Sequence, residues 1–143
     1  MKEKTLEIFT PDLSTKVELP LASGTVQAGF PSPAENFMDR PLDLNDLMIK
    51  NPASTFIARA KGDSMSGDGI ASGDLLIVDK AAEILNGCLA VCVLEGEFTL
   101  KRLEIHADHA YLVPSNDSYD PIYVDGETGF SVWGVVRWVV KKM

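Results

Sequence analysis

Residues 88 to 105 read Cys-Leu-Ala-Val-Cys-Val-Leu-Glu-Gly-Glu-Phe-Thr-Leu-Lys-Arg-Leu-Glu-Ile. Two runs of β-branched, aromatic and aliphatic residues flank Glu95-Gly96, and such a two-residue link ending in glycine is the signature of a tight β-hairpin. The spacing predicts strands over Cys88 to Leu94 and over Glu97 to Ile105, with Lys101 partway along the second. Side chains alternate along a strand, so Lys101 can point inward while Arg102 takes the opposite face and reaches solvent.

Similar segments recur outward in both directions. Thr55 to Ala60, Asp74 to Lys80, Ala110 to Val113 and Phe130 to Lys141 are apolar, β-forming runs divided by Gly, Asn and Asp turns. The fold class is therefore mainly β, a curled or barrel-like sheet with short helices. Ser32-Pro33-Ala34-Glu35 combines a capping serine, proline at the first helical position and glutamate three residues after the cap, which predicts a short helix through about Asp39. Asp43 is the expected cap of a second helix over Leu44 to Lys50, ended by Asn51-Pro52. Residues 1 to about 30 hold one strand-like run, Leu6 to Thr10, among Pro11, Pro20, Ser23, Gly24 and Gly29, which reads as a flexible N-terminal arm.

The 143 residues, 45% hydrophobic and 24% charged, suit one packed domain plus that arm. A formal net charge of -8 argues against direct DNA binding, which needs Lys and Arg gathered against phosphates, and only Arg137, Lys141 and Lys142 cluster. No apolar run approaches the roughly 20 residues that span a bilayer, and Met1-Lys-Glu-Lys-Thr5 lacks the apolar core of a signal peptide, so a cytoplasmic protein without membrane contact is expected. Cys88 and Cys92 would share one strand face at a separation of about 13 Å, too far to bond each other, and read as buried free thiols.

Ser64 lies in Gly62-Asp-Ser-Met-Ser-Gly-Asp-Gly69, a glycine-studded loop between two strands whose backbone N–H groups can turn toward a ligand. A serine hydroxyl needs a base to become a nucleophile, and a lysine serves only when neutral. Neutralising an ordinary lysine at pH 7 costs about 4.6 kcal/mol, so burial among neighbours such as Phe98, Leu100 and Leu103 has to supply most of the shift. His106 and His109 lie in a polar turn and read as solvated; Asp63, Asp68, Asp74 and Asp79 surround glycine turns without metal-ligand spacing and read as turn caps. No metal and no cofactor are expected.

Ala28-Gly-Phe-Pro-Ser-Pro-Ala34, Asp43-Leu-Asn45, Gly62-Asp-Ser-Met65, Gly73-Asp-Leu-Leu-Ile-Val-Asp79, Gly96-Glu-Phe-Thr99 with Lys101, and Gly134-Val-Val136 together carry a resemblance over nearly the whole chain. The chain resembles the self-cleaving serine peptidases related to LexA, and within them the UmuD-like group of error-prone DNA repair. The resemblance implies that Ser64 is the nucleophile, Lys101 the general base and Ala28-Gly29 the bond cut. Residues 1–28 would be removed, and residues 29–143 would remain as the peptidase and polymerase-interacting domain. Only 28 residues precede the bond, too few for the DNA-binding domain of a LexA-type repressor. Cys88 follows Gly87 where relatives usually carry an acidic residue, and neither cysteine touches the implied dyad.

The implied function is a latent peptidase that cuts itself when stimulated by a RecA filament on single-stranded DNA, its shortened form joining a Y-family DNA polymerase in translesion synthesis, with a homodimer as the expected state. The arm holds Lys2, Lys4 and Lys16 against Glu3, Glu7, Asp12 and Glu18, 3 - 4 = -1, so its loss changes the charge little and uncovering a surface is the expected signal. The alternatives are a non-catalytic dimeric adaptor for polymerase and filament, and a signal-peptidase-like enzyme acting on other proteins.

Overall fold

A computed structural model of the chain describes residues 6–14, 18–22 and 38–143. The chain divides into two compact units, one formed by Met1–Pro11 with Asn51–Met143 and the other by Asp12–Lys50.

The larger unit is built on an eight-stranded antiparallel sheet, confirming the mainly β expectation. Its strands are β1 (Leu6–Phe9), β4 (Thr55–Ala60), β5 (Leu75–Asp79), β6 (Leu89–Leu94), β7 (Glu97–Ile105), β8 (His109–Val113), β9 (Ile122–Asp125) and β10 (Phe130–Val140). They lie in the order β1-β4-β5-β10-β6-β7-β8-β9. β1 touches β7 despite the strands between them in that order, so the sheet curls. One apolar cluster, with Ala58, Met65, Leu76, Val78, Val91 and Leu100, fills one face; Ala90, Cys92, Leu103, Leu112 and Val124 form a second.

The β6–β7 hairpin forms as its sequence predicts. Leu94 faces Glu97 across the turn, and Glu95 at φ 50° and Gly96 at φ 81° take the left-handed pair that matches strand twist. β10 changes register twice, between Val132 and Gly134 and between Val136 and Trp138, as it passes from β6 to β5. Gly134 is required there, because a Cβ would lie 2.6 Å from Val78 Cγ1. Asp79 closes β5: burial pushes its carboxyl up, but bonds from Ser54 Oγ (2.7 Å), Asn51 Nδ2 (2.7 Å) and the Ala81 N–H (2.8 Å) outweigh it and hold the carboxyl below its usual range.

In the smaller unit, β2 (Glu18–Ala22) pairs antiparallel with β3 (Met38–Asp43), which leads into helix α1 (Leu44–Met48). Asp43 caps α1 as expected, its side chain accepting from the Asn45 N–H at 3.2 Å. The expected helix from Ser32 lies mostly outside the described residues, but its last two positions, Met38 and Asp39, are strand. The strand-like run expected at Leu6 to Thr10 forms β1 (Leu6–Phe9), and the arm also supplies β2. Pro20 sits where the β2–β3 register shifts between Leu19 and Leu21, so the residue that argues against a strand is accommodated at an irregularity. β9 has no sequence precedent in the strand assignment; four residues between Pro121 and an Asp-Gly turn are too few to show a period. No helix among the described residues is long and apolar enough to cross a membrane.

Candidate active site

β4 runs directly into Lys61-Gly-Asp-Ser64, and the chain then drops Met65 and Ile70 into the core, at 3% and 4% exposure, with a 3-10 turn over Ser66–Asp68 between them. These two buried anchors fix the ends of the loop and leave Ser64 half-buried at its start. A second loop clasps it. Ser115 N–H donates to the Ser64 carbonyl (2.9 Å), Gly67 N–H to the Ser115 carbonyl (2.8 Å) and Asp68 N–H to Ser115 Oγ (3.0 Å). Asn116 Nδ2 donates to the Asp63 carbonyl at 2.9 Å, and the Tyr119 hydroxyl to the Asp63 carboxylate at 2.6 Å.

Lys101 sits on β7 opposite Ala90 of β6, on the face shared with Cys92 and Leu103, and is only 7% exposed. Its Nζ lies 3.0 Å from Ser64 Oγ, 3.0 Å from Thr99 Oγ1 and 3.1 Å from the Leu100 carbonyl. All three are acceptors around Nζ; when the amine is neutral it can keep two of these bonds as donor and offer its lone pair to the Ser64 hydroxyl. None of the three partners is a carboxylate that would hold the ammonium form. Burial pushes the Lys101 amine below the usual lysine range. Arg102, on the other face, is bound at 3.2 Å to Asp68 and donates to the Gly87 carbonyl.

Such a pair can carry out nucleophilic chemistry: a hydroxyl with a neutral amine in hydrogen-bond reach can lose its proton as it attacks. Among the described residues the N–H groups of Ser64 and Met65 bond no acceptor, so they are available to an oxyanion. Beside Ser64 lies a narrow recess of about 10 Å³ walled by Ala60, Gly62, Met65, Ile70 and Leu100. A wider cleft of about 640 Å³ runs along Asp63, Ser66 and Gly69 to Ser72.

The fold brings Ser64 and Lys101, the two candidates named from the sequence, together from 37 positions apart. Ala28 and Gly29 lie outside the described residues. The clasp from Ser115, Asn116 and Tyr119 was missed, as was Thr99; Ser-Asn after the end of a strand looks like any polar turn. His109 is not in a turn but opens β8, stacked on His106 at 4.6 Å and on Tyr123 at 5.3 Å; the carboxylates of Asp108 and Glu104, not Ser64, face these rings. The four aspartates bind donors or cations, Asp74 holding Lys141 at 2.6 Å and the Ala71 N–H at 2.9 Å. Among the described residues no three His, Cys, Asp or Glu side chains group to hold a metal ion. Cys92 is a buried free thiol, pushed up to about 12 chiefly by burial, whereas Cys88 is only partly buried.

Residues 20–137 match the family described as Peptidase S24-like. The chain is 42% identical to Protein SamA of Salmonella typhimurium over 86% of its own length and 85% of that protein. It is 32% identical to Protein MucA of Escherichia coli over 92% of this chain and 90% of that one. It is also 37% identical to LexA repressor 1 of Xanthomonas campestris, over 83% of this chain but 59% of the repressor.

Proposed function

The chain belongs to the Peptidase S24-like family of self-cleaving serine peptidases, and from that premise we propose that it cuts its own Ala28-Gly29 bond with Ser64 as nucleophile and Lys101 as general base. The observation that carries the reading is the 3.0 Å contact between Nζ and Oγ with the lysine buried and no carboxylate beside it.

The neutral Lys101 amine takes the Ser64 proton as Oγ attacks the Ala28 carbonyl. The N–H groups of Ser64 and Met65 receive the oxyanion. The Lys101 ammonium then returns its proton to the Gly29 nitrogen as the peptide bond breaks, leaving residue 28 esterified to Ser64. Lys101, neutral again, takes a proton from the water that attacks the ester and passes it to Ser64 Oγ as the ester bond breaks, which releases the carboxyl group of residue 28 and restores both side chains. The narrow recess beside Ser64 favours a small P1 side chain such as that of alanine.

The same reading makes the protein a cytoplasmic homodimer whose self-cleavage is promoted by a RecA filament on single-stranded DNA. Residues 29–143 then serve as a subunit of a Y-family translesion polymerase in the SOS response. The likeness to SamA, MucA and LexA repressor 1 supports this placement. Incubating the purified chain with RecA, ATP and single-stranded DNA tests it. A fragment beginning at Gly29 is expected, and its absence there and at alkaline pH would remove the reading.

A further inference from the structure

Among the described residues β1 is the outermost strand of the large sheet, and it comes from the first 28 residues of the chain. It pairs with β4 in the register Leu6↔Ala60, Glu7↔Arg59, Ile8↔Ala58, Phe9↔Ile57. The Ala60 N–H bonds the Asp74 carbonyl on the β5 side at 2.8 Å, and amides alternate in direction along a strand, so the N–H groups of Ile57 and Arg59 face β1. Ile8 packs against the apolar cluster that includes Ala58, Ala60 and Met65, and the Arg59 guanidinium lies 5.6 Å from the centre of the Phe9 ring.

Four residues of pairing are marginal by themselves. What holds β1 in place is its covalent link to the rest of the chain, which gives it an effective concentration on the order of millimolar. Once the Ala28-Gly29 bond is cut, β1 is a separate peptide, and at micromolar protein that advantage falls by about 1000-fold. β4 then becomes an open edge beside the Ser64 loop, with unpaired N–H and C=O groups that favour addition of another strand.

The geometry points to the outer edge of β4, Thr55–Ala60, as a docking site that self-cleavage uncovers for an extended segment of a partner protein, bearing an aliphatic residue over Ala58 followed by an aromatic residue beside Arg59. This inference rests on the self-cleavage reading above. The displaced Ile8-Phe9 pair is the template for the occupant, and β4 itself, Thr-Phe-Ile-Ala-Arg-Ala, offers no aliphatic-then-aromatic pair in that order to a second copy.

Amide hydrogen exchange resolved by residue tests it in two steps. In the uncut chain, Phe9→Pro removes one donor of the β1 ladder and the ring over Arg59. Exchange at Ile57 and Arg59 should then rise at least about tenfold while Ala58 and Ala60, which face β5, keep their protection. Unchanged exchange at all four overturns the inference whether or not the protein cuts itself, so its failure is separable from failure of the peptidase reading. In self-cut protein freed of its N-terminal fragment, Ile57 and Arg59 should be unprotected and should regain protection on adding a peptide of residues 4–12, but not a scrambled version. No recovery overturns the docking site, as does protection that persists after cutting because a second copy covers the edge.

Discussion

Lys101 Nζ lies 3.0 Å from Ser64 Oγ, at the junction of a glycine-rich loop and the middle of a buried strand. The strand buries the lysine and the loop leaves the serine half-exposed. Removing either partner should therefore remove the same step. Ser64→Ala and Lys101→Ala should each slow self-cleavage by roughly 100-fold or more, and the double variant should be little worse than either. Lys101→Arg should be as inactive as Lys101→Ala, because a guanidinium stays charged. Time courses of the uncut band on a denaturing gel measure all four.

The depressed Lys101 amine gives a pH dependence with a definite sign. Cleavage should speed up with rising pH through that depressed value and level off before the ordinary lysine value of 10.5. Between the two values the unfolded chain binds the proton that the folded chain does not, so the contribution of Lys101 to stability rises with pH across that window and is lost as pH falls through the folded value. Rate constants and denaturant midpoints taken on one pH series check both statements; a flat rate profile would contradict the first.

Thr99 Oγ1 accepts from Lys101 Nζ at 3.0 Å and so aims the amine at Ser64. Thr99→Val should lower the cleavage rate roughly 2- to 10-fold, the worth of one hydrogen bond, with Thr99→Ser recovering most of it. Comparing the two variants at the alkaline plateau separates aiming from a change in lysine ionisation.

The hairpin that carries Lys101 was legible because its turn chemistry is local: Glu95-Gly96 fixes the register that places Lys101 opposite Ala90. The helix cap at Asp43 was legible for the same reason. β2 and β3 were not, since Pro20 and Pro41 argue against strands and only pairing between the two segments offsets this. The clasp on the Ser64 loop was also hidden, because Ser115, Asn116 and Tyr119 meet residues 47 to 56 positions away and carry no pattern of their own.

The clasp gives a prediction of its own. A Cβ at Gly67 would lie 1.9 Å from the Ser115 backbone oxygen, so one loop must move. Gly67→Ala should cost about 1–3 kcal/mol of stability and slow self-cleavage, because the displaced segment holds Ser64. Thermal or denaturant unfolding beside a cleavage assay measures both.

The two thiols should behave differently. Cys92 is 0% exposed with its thiol pushed up to about 12, whereas Cys88 is partly exposed. Iodoacetamide at neutral pH should label Cys88 and leave Cys92 intact until the chain is unfolded, as peptide mass spectrometry would show.

Mass spectrometry of the products formed with an activated RecA filament tests the proposed chemistry most directly. Two fragments should form, ending at Ala28 and beginning at Gly29, and neither should form from Ser64→Ala or Lys101→Ala. A cut at another bond, or the same fragments from the Ser64→Ala chain alone, would contradict the assignment of this serine and lysine to self-cleavage.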